Sequence, residues 1–290
     1  MPLTAMHKPE EKLFEIFELE EFIQVIDIGA SVINEIPFYK TLMEKGYAYL
    51  SAFEGDTRQI ENIRNTYKNR CSIFNDFLFD GTEQTLYTAS AASGMSSLLK
   101  PSQTALNFFN GFNQFGKTDK TSIIQTKRLD DINEINSIDV LKMDIQGAEL
   151  TVLQNAIKKL KNCLVIQLEV SFIPLYENQP SFGDIDVWMR GQGYVPHCFL
   201  DIKRWSIAPT IFNNNFRIPG NQLLESDIVY IKDPLRLDLV TDQQLIKFVA
   251  ITHYALKSFD LNIFLLLELA RRKVAPLNIE NIYLNHLNSK

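Results

Sequence analysis

Carboxylates at the ends of two strand-like segments are the residues of this sequence best suited to chemistry. Asp144 follows the mostly apolar segment 138–143 and precedes Gly147 and Glu149. Asp27 lies near the end of a second apolar segment, two residues before Gly29. Because the carboxyl ends of strands in an open α/β sheet face one crevice, two acid-bearing strand ends predict a ligand site. Carboxylates in such a site accept hydrogen bonds from ligand hydroxyls or take up a proton.

These acids require a framework of alternating strands and helices. Apolar runs predict strands over residues 24–30, 48–54, 72–79, 85–89, 121–128, 141–145, 163–170, 194–202 and 227–231. Helical spacing or composition predicts helices over residues 37–45, 57–67, 148–160, 185–192, 242–257 and 261–272. The alternation predicts an α/β fold with a Rossmann-like, mostly parallel sheet and an antiparallel edge strand, because the last two strands follow one another almost as a hairpin.

Three parts are expected along the chain. An N-terminal helix occupies residues 1–23, a main domain residues 24–233 and a helical extension residues 238–290. Residues 91–113 lack a clear period and are rich in Gly, Ser and Asn, so a loop over the site is expected there. The amphipathic C-terminal helices offer a surface for a homo-oligomer.

The ends of the first three strands suit a nucleoside. Asp27, Glu54 and Asp80 supply acids, and Gly29 with Ala30 lets a ligand approach the backbone. A nicotinamide dinucleotide would require Gly-x-Gly-x-x-Gly at the first turn, which here reads Gly-Ala-Ser-Val. An acid-lined crevice with a ribose-binding Glu and no phosphate loop favours a nucleoside that carries a positive charge, as S-adenosylmethionine does.

A helix-capping role is the alternative for each of these acids. Asp27 and Asp144 are of the type that caps a following helix, and Glu149 lies in a first turn where the helix dipole favours a carboxylate. The convergence of three acids at neighbouring strand ends favours a cofactor role for Asp27 and Glu54. Both interpretations stay open for Asp80, Asp144 and Glu149.

Composition excludes several classes of protein. The 290 residues carry 29 Lys and Arg against 35 Asp and Glu, a net charge of -6, which gives no basic field for nucleic acid. The three cysteines are far apart and fit neither a disulfide framework nor a zinc site, so a reducing, cytoplasmic compartment is expected. The apolar run near residue 265 is interrupted by Glu268, so no integral membrane segment is predicted.

Several short motifs together resemble the FkbM-type S-adenosylmethionine-dependent methyltransferases. The motifs, in family order, are VIDIGA at 25–30, Phe53-Glu54, GMSSL at 94–98, RLDDI at 128–132, LKMDIQGAE at 141–149, and Glu169-Val170 followed by Pro174-Leu175-Tyr176. They cover roughly residues 24–233. The resemblance implies a Rossmann-like domain that binds S-adenosylmethionine and methylates a hydroxyl, often on a sugar of a glycan, glycolipid or natural product. The first turn departs from the pattern of many members, because Ser31-Val32-Ile33-Asn34 replaces an Asn and a second glycine.

Methylation of an alcohol needs a general base within hydrogen-bond reach of the hydroxyl. The candidates are Asp144, Glu149, Glu169 and His197. Asp144 with neighbouring acids is a possible metal site, but the spacing defines no ligand set, and no metal is predicted. Ser96, within residues 94–99, is a candidate contact to the cofactor or the acceptor, and the 213–217 segment (NNNFR) suits sugar hydroxyls.

Two other functions remain open at this point. One is a nicotinamide-dependent oxidoreductase on a similar sheet, which the broken glycine pattern disfavours. The other is a non-catalytic binding protein that keeps the methyltransferase-like fold, since a fold alone does not prove activity. A small molecule or a glycan or glycolipid is the expected acceptor, and which one is not encoded in a short motif.

Overall fold

A seven-stranded sheet forms the framework of the protein. The computed structural model describes residues 19, 21–30, 36–55, 57–90 and 93–288, and the helix predicted over residues 1–23 lies mostly outside them. The strands of the described residues are β1 (Ile23–Ile28), β2 (Ala48–Phe53), β3 (Cys71–Phe74), β4 (Phe77–Leu78), β5 (Glu83–Ala89), β6 (Thr118–Lys127), β7 (Val140–Met143), β8 (Val165–Ser171), β9 (Tyr194–Trp205) and β10 (Gln222–Lys232). The helices are α1 (Lys40–Glu44), α2 (Thr57–Tyr67), α3 (Gln103–Phe108), α4 (Phe112–Phe115), α5 (Glu149–Gln154), α6 (Ile157–Leu160), α7 (Phe182–Gly191), α8 (Asp242–Ile251), α9 (Phe259–Arg271) and α10 (Ile279–Asn288).

The large sheet has the strand order β3-β2-β1-β7-β8-β10-β9. β2 pairs with β3, β1 with β7 and β7 with β8, all in parallel. The chain fills the β2 and β3 side first and then crosses to β7, so the order reverses between β1 and β7. Reversal points of this kind leave a crevice at the carboxyl ends of the strands, which is where open α/β sheets bind ligands.

The predicted antiparallel pairing is present at the far edge of the sheet. β10 is inserted between β8 and β9 and runs antiparallel to both. β9 is therefore the edge strand itself, and β10 is the strand with reversed direction. The fold class predicted from the sequence, a mostly parallel Rossmann-like sheet, is confirmed.

A second sheet of three strands, with the order β4-β6-β5, was not predicted. β5 and β6 are antiparallel, and β4 pairs in parallel with the end of β6. The strand predicted over residues 72–79 is wrong as one element, because the chain leaves the large sheet after Phe74 and joins the small sheet at Phe77. Asp80 consequently follows β4 of the small sheet, and the prediction that it ends the third strand of the large sheet is wrong.

The segment 91–113, predicted as a loop, contains α3 and the beginning of α4. Ser102 caps α3 by accepting a hydrogen bond from the Ala105 backbone. These helices contribute Leu106 and Phe112, and the residue after α3 contributes Phe109, to a second hydrophobic core, separate from the cluster under the large sheet. Aromatic residues on short helices have no resolvable period, which explains why the pattern was missed.

Two predicted helices are interrupted. The helix predicted over 148–160 is α5 followed by α6, and Asp130, distant in sequence, accepts hydrogen bonds from the backbones of Lys158 and Lys159 in the first turn of α6. The helix predicted over 242–257 is α8 followed by a π-helical turn over 252–256, and α10 was not predicted.

The described residues form two compact units. One contains those of 24–35 and 50–234, and the other those of 1–23, 36–49 and 235–290. The predicted division into three domains remains a prediction. Among the described residues, every helix is too short or too polar to span a lipid bilayer.

Candidate active site

A cavity of about 610 Å³ opens at the carboxyl edge of the large sheet. Its walls come from the ends of β1, β2, β3 and β7 and from the small sheet. A volume of this size falls in the range of roughly 300–1,000 Å³ that small-molecule sites occupy. The residues of the strand ends that line it include Gly29, Glu54, Asn75, Asp76 and Asp144, and the small sheet and its loop contribute Leu86, Thr88, Ser96, Ser97 and Asp119.

Gly29 brings the ends of β1 and β7 together. Its φ is 79°, and a Cβ at this position would collide with the carbonyl oxygen of Asp144. The backbone N–H of Asp144 donates to the Ile28 carbonyl at 3.1 Å. Glycine is required because its backbone is left-handed and because the backbone after β1 touches the backbone after β7. This close approach holds Asp144 at the cavity.

Glu54 lies at the cavity, one residue past the end of β2. Its backbone N–H donates to the Phe74 carbonyl of β3, and Gly29 donates to the Phe53 carbonyl. The first turn and Glu54 are therefore side by side, as the sequence predicted from neighbouring strand ends.

Asp27 and Ala30, two other predicted cofactor residues, do not line the cavity. Asp27 belongs to β1, is 2% exposed, and has its Oδ1 3.7 Å from Nζ of Lys142, the residue opposite it in β7. Ala30 is buried, and its backbone N–H donates to the Phe53 carbonyl. Both residues are therefore buried next to the turn that follows β1, and neither lines the cavity.

Asp80 is likewise not among the residues that line the cavity. Its Oδ1 accepts hydrogen bonds from the backbone N–H and the hydroxyl of Thr82, at 2.9 and 2.7 Å, which closes the turn between β4 and β5. Asn75 and Asp76, which follow the true end of β3, line the cavity instead. The sequence contained this signal, since Asn75-Asp76 follows an apolar strand, but the strand was extended past it.

Ser96 and Ser97 bring the 94–99 segment to the cavity. The hydroxyl of Ser96 accepts from the Ala89 backbone at 3.1 Å. The hydroxyl of Ser97 donates to the carbonyl of Gln146 at 2.7 Å and accepts from the Leu99 backbone. The segment is thereby joined to the loop that follows β7.

The loop between β7 and α5 presents Asp144 to the cavity. Gln146 has a φ of 56°, and its side-chain Nε2 donates to Asp144 Oδ1 at 2.9 Å. Glu149 is 2% exposed, and its Oε1 accepts from the backbones of Ile145 at 3.0 Å and Gly147 at 3.2 Å. Burial raises the pKa of Glu149 to about 7, against the effect of these hydrogen bonds. Glu149 does not line the cavity, and its carboxyl shapes the loop.

Glu169 lies behind this loop on β8. It is buried, and its Oε1 accepts from Gln146 Nε2 at 3.2 Å. Burial, together with the charges of Asp144, Glu225 and Glu149, raises the pKa of Glu169 well above its usual value. The hydroxyl of Tyr176 contacts Gln146 Oε1 at 3.1 Å, which fixes the orientation of the amide.

His197 and the 213–217 segment are not brought to the cavity. His197 is in β9, the edge strand, four places along the sheet from β1, and does not line the cavity. Asn213 and Asn214 have left-handed backbones, and Asn215 Oδ1 accepts from the Arg217 backbone, so the segment is a turn between β9 and β10. Among the described residues, no group of three or more His, Cys, Asp or Glu side chains is arranged to hold a metal ion.

The fold and the site define the class of the protein. A parallel sheet that reverses between β1 and β7, with one antiparallel strand inserted before the edge, is the Rossmann-like sheet of class I S-adenosylmethionine-dependent methyltransferases. The family profile described as the methyltransferase FkbM domain matches residues 27–196, more than half of the chain. The protein therefore belongs to the FkbM methyltransferase family, and the resemblance predicted from the motifs is confirmed.

Solved structures similar to the chain are distant in sequence. A precorrin-6y C5,15-methyltransferase from Geobacter metallireducens is 10% identical, with 79% of this chain and 90% of that chain covered and a TM-score of 0.36. A magnesium protoporphyrin IX methyltransferase from Synechocystis with bound SAM is 9% identical, with 77% and 76% covered and a TM-score of 0.37. A putative O-methyltransferase from Klebsiella pneumoniae is 9% identical, with 80% and 82% covered and a TM-score of 0.34. No curated protein matches the sequence significantly.

Proposed function

We propose that the protein transfers the methyl group of S-adenosylmethionine, bound in the cavity, to a hydroxyl of a sugar in a glycan, glycolipid or natural product. Family membership supports the transfer of a methyl group from this donor. The sugar hydroxyl is the acceptor that the family resemblance implies. The residue assignments below are part of the proposal.

The charge of the cavity wall is the observation that carries the choice of cofactor. Four acids line the cavity, Glu54, Asp76, Asp119 and Asp144, and no Lys, Arg or His is among the described lining residues. Asp76 is paired with Lys127 at 2.8 Å, so the negative charge of the cavity comes mainly from the other three. A cationic ligand is favoured in such a field, whereas the pyrophosphate of a nicotinamide dinucleotide is repelled. The sulfonium nucleoside therefore fits the residues present, and the oxidoreductase alternative does not.

The positions of the acids support one orientation of the cofactor. Glu54 lines the cavity directly after β2 and is the residue that we propose accepts hydrogen bonds from the ribose hydroxyls. Phe77 and Leu78 offer apolar surface beyond it, on the side of the adenine. Gly29 and Asp144 are then on the side of the methionine end.

Asp144 is the proposed general base. S-adenosylmethionine supplies an electrophilic methyl group, so the protein has to align the acceptor and remove the proton of its hydroxyl. Of the four predicted candidates, Asp144 alone lines the cavity, and the Gln146 amide holds its carboxylate in place. Glu149 then serves to shape the loop, and Glu169 acts through Gln146.

The proposal includes a cytoplasmic location, supported by three free cysteines, Cys71, Cys163 and Cys198. We also propose that residues 238–290 form a separate helical extension and that the protein forms a homo-oligomer through the helices of this extension.

Calorimetry with Glu54→Ala tests the cofactor site. S-adenosylmethionine and its demethylated product, S-adenosylhomocysteine, should bind the native protein, and NAD should not. Glu54→Ala should weaken both by roughly 10- to 100-fold, the effect of losing hydrogen bonds to a charged group. Glu61→Ala, an exposed glutamate on α2, is the matched control and should bind normally. Failure of both nucleosides to bind the native protein would favour a non-catalytic protein.

Asp144→Asn tests the base. The variant should still bind S-adenosylmethionine, more weakly because a negative charge near the sulfonium is lost, while transfer of the methyl group at saturating donor should fall by about 10²- to 10⁴-fold. Asp119→Asn, which changes another acid of the same cavity, should retain most activity. Mass spectrometry of cellular glycans and lipids, with and without the protein, would identify the acceptor by loss of one methyl mass. Full activity of Asp144→Asn would refute the assignment.

A further inference from the structure

A cluster of acids surrounds the amide of Gln146 behind the cavity. Met143, the last residue of β7, is opposite Leu168 in the parallel register, which puts Asp144 and Glu169 at the same level on adjacent strands. Gln146 Nε2 donates to both carboxylates, at 2.9 Å to Asp144 and 3.2 Å to Glu169. One amide therefore connects the acid at the cavity with the buried acid behind it.

The surroundings of Glu169 are predominantly acidic. Asp144 is at its own level, and the charge of Glu149 from α5 also acts on it. β10 adds Glu225 and Asp227, the second of which is directly opposite Glu169 in the antiparallel register.

Few groups offset these charges. Lys203 of β9 acts on Glu169, and it is already paired with Glu225 at 2.8 Å. The buried Lys142, two residues before Asp144 on β7, acts on Asp227 and lies 3.7 Å from Asp27. Tyr176, from the loop after β8, is neutral, because burial raises the pKa of its hydroxyl. A second negative charge beside Asp144 is costly in this environment, which favours the protonated form of Glu169 in the free protein.

The proposed cofactor changes this balance. With the ribose at Glu54 on β2, the sulfonium would lie toward β1 and β7, beside Asp144, and Glu169 is on β8, the strand next to β7. Adjacent strands are about 4.8 Å apart, so the cation is close enough to favour the ionised form of Glu169. S-adenosylhomocysteine has no sulfonium and exerts no such effect.

We propose that Glu169 is a specificity-determining residue that distinguishes the cationic methyl donor from its neutral demethylated product. It is a carboxylic acid while the cavity holds no cation. It releases its proton to solvent when the sulfonium enters and takes a proton up again after methyl transfer. The inference rests on the proposed function and adds a reason for the product to leave the site.

The consequence is a pH-dependent preference between two ligands that differ by one methyl group and one charge. The ratio of the affinities for S-adenosylmethionine and S-adenosylhomocysteine should rise with pH, by up to about tenfold per pH unit, the limit for release of one proton. Binding of S-adenosylmethionine should release a proton from Glu169, and binding of S-adenosylhomocysteine should not.

Calorimetry of the whole protein tests this inference without turnover. Both ligands are titrated from about pH 6 to about pH 9, in buffers of different ionisation enthalpy, so that the proton released per bound ligand is measured. The native protein should release more protons with the donor than with the product. Glu169→Gln keeps an oxygen for Gln146 and should abolish the difference. Glu83→Gln, an exposed glutamate of β5, is the matched control and should retain it.

A second variant guards against a folding defect in the first. Glu225→Gln removes a negative charge near Glu169, so the rise in the affinity ratio should move to lower pH. Equal proton release by both ligands, or an unchanged difference in Glu169→Gln, would overturn this inference and leave the cofactor site intact. Failure of both ligands to bind at all would instead overturn the proposed function, and this inference with it.

Discussion

Gly29 illustrates how one residue couples two strands at the site. Its left-handed backbone and its contact with Asp144 each exclude a side chain, and the two costs can be separated by mutation. Gly193, after α7, has the same φ of 79°, but a Cβ there would meet nothing within 4 Å.

Gly29→Ala should therefore destabilise the protein more than Gly193→Ala. The control should cost about 1–2 kcal/mol, the strain of a left-handed alanine. Gly29→Ala adds a backbone clash and should cost at least about 2 kcal/mol more, with loss of S-adenosylmethionine binding. Urea unfolding measures both. Equal costs would mean that the β1 and β7 ends are not in contact as described.

Glu149, next to the loop after β7, should make the free energy of unfolding depend on pH. Its pKa is about 7 in the folded protein against about 4.5 in the unfolded chain. The folded state binds the extra proton between these values, so this residue's contribution to the free energy of unfolding is largest below pH 4.5 and is lost as the pH rises through 7.

Glu149→Gln should remove this dependence. The difference in the free energy of unfolding between the native protein and the variant should change by on the order of 3 kcal/mol from pH 5 to pH 8. The variant keeps an oxygen that accepts from Ile145 and Gly147. Urea titrations at pH 5, 6.5 and 8 measure the difference, and parallel pH profiles would show that Glu149 is ionised throughout.

At the scale of elements, Arg272 joins three segments of the C-terminal helices. Arg272 directly follows α9, and its guanidinium donates to the carbonyls of Leu237 at 2.5 Å and Val240 at 2.7 Å and pairs with Glu268 and Asp242. Its side chain is 16% exposed. The adjacent Arg271 also pairs with Glu268, but its side chain is 71% exposed.

Arg272→Ala should destabilise these helices by about 2–3 kcal/mol, because two partly buried carbonyls and two carboxylates lose a charged donor. Arg271→Ala should cost less than about 1 kcal/mol, as is usual for an exposed ion pair. Chemical unfolding followed by circular dichroism compares the two. Similar losses would show that the buried guanidinium contributes no more than the exposed one.

At the scale of the whole molecule, the net charge of -6 and the four acids of the cavity favour a cation over an anion. A ligand that binds only the folded state stabilises it by about 2.7 kcal/mol at a hundred times its Kd. We expect S-adenosylmethionine to raise the melting temperature, and NAD at the same concentration to leave it unchanged. Stabilisation by NAD alone would contradict the assignment of the cavity.

The class of fold could be predicted because parallel strands are buried on both faces and read as continuous apolar runs. The strand ends at Glu54 and Asp144 were located for the same reason. The prediction failed where partners are distant in sequence. Asp130 caps α6 across 28 residues, and β4 joins β6 across about 49 positions, so no local pattern marks either feature.

The sequence by itself determined the alternation of strands and helices, the motifs of the family and the carboxylates at the strand ends, because these depend on local order along the chain. The tertiary structure alone decided which carboxylates face the cavity. Asp144 lines it, Asp27 is buried against Lys142, Asp80 closes a turn, and Glu169 lies behind Gln146. The side-chain environment of each acid depends on strand register and on burial by distant segments, and the same residue type therefore acquires different roles.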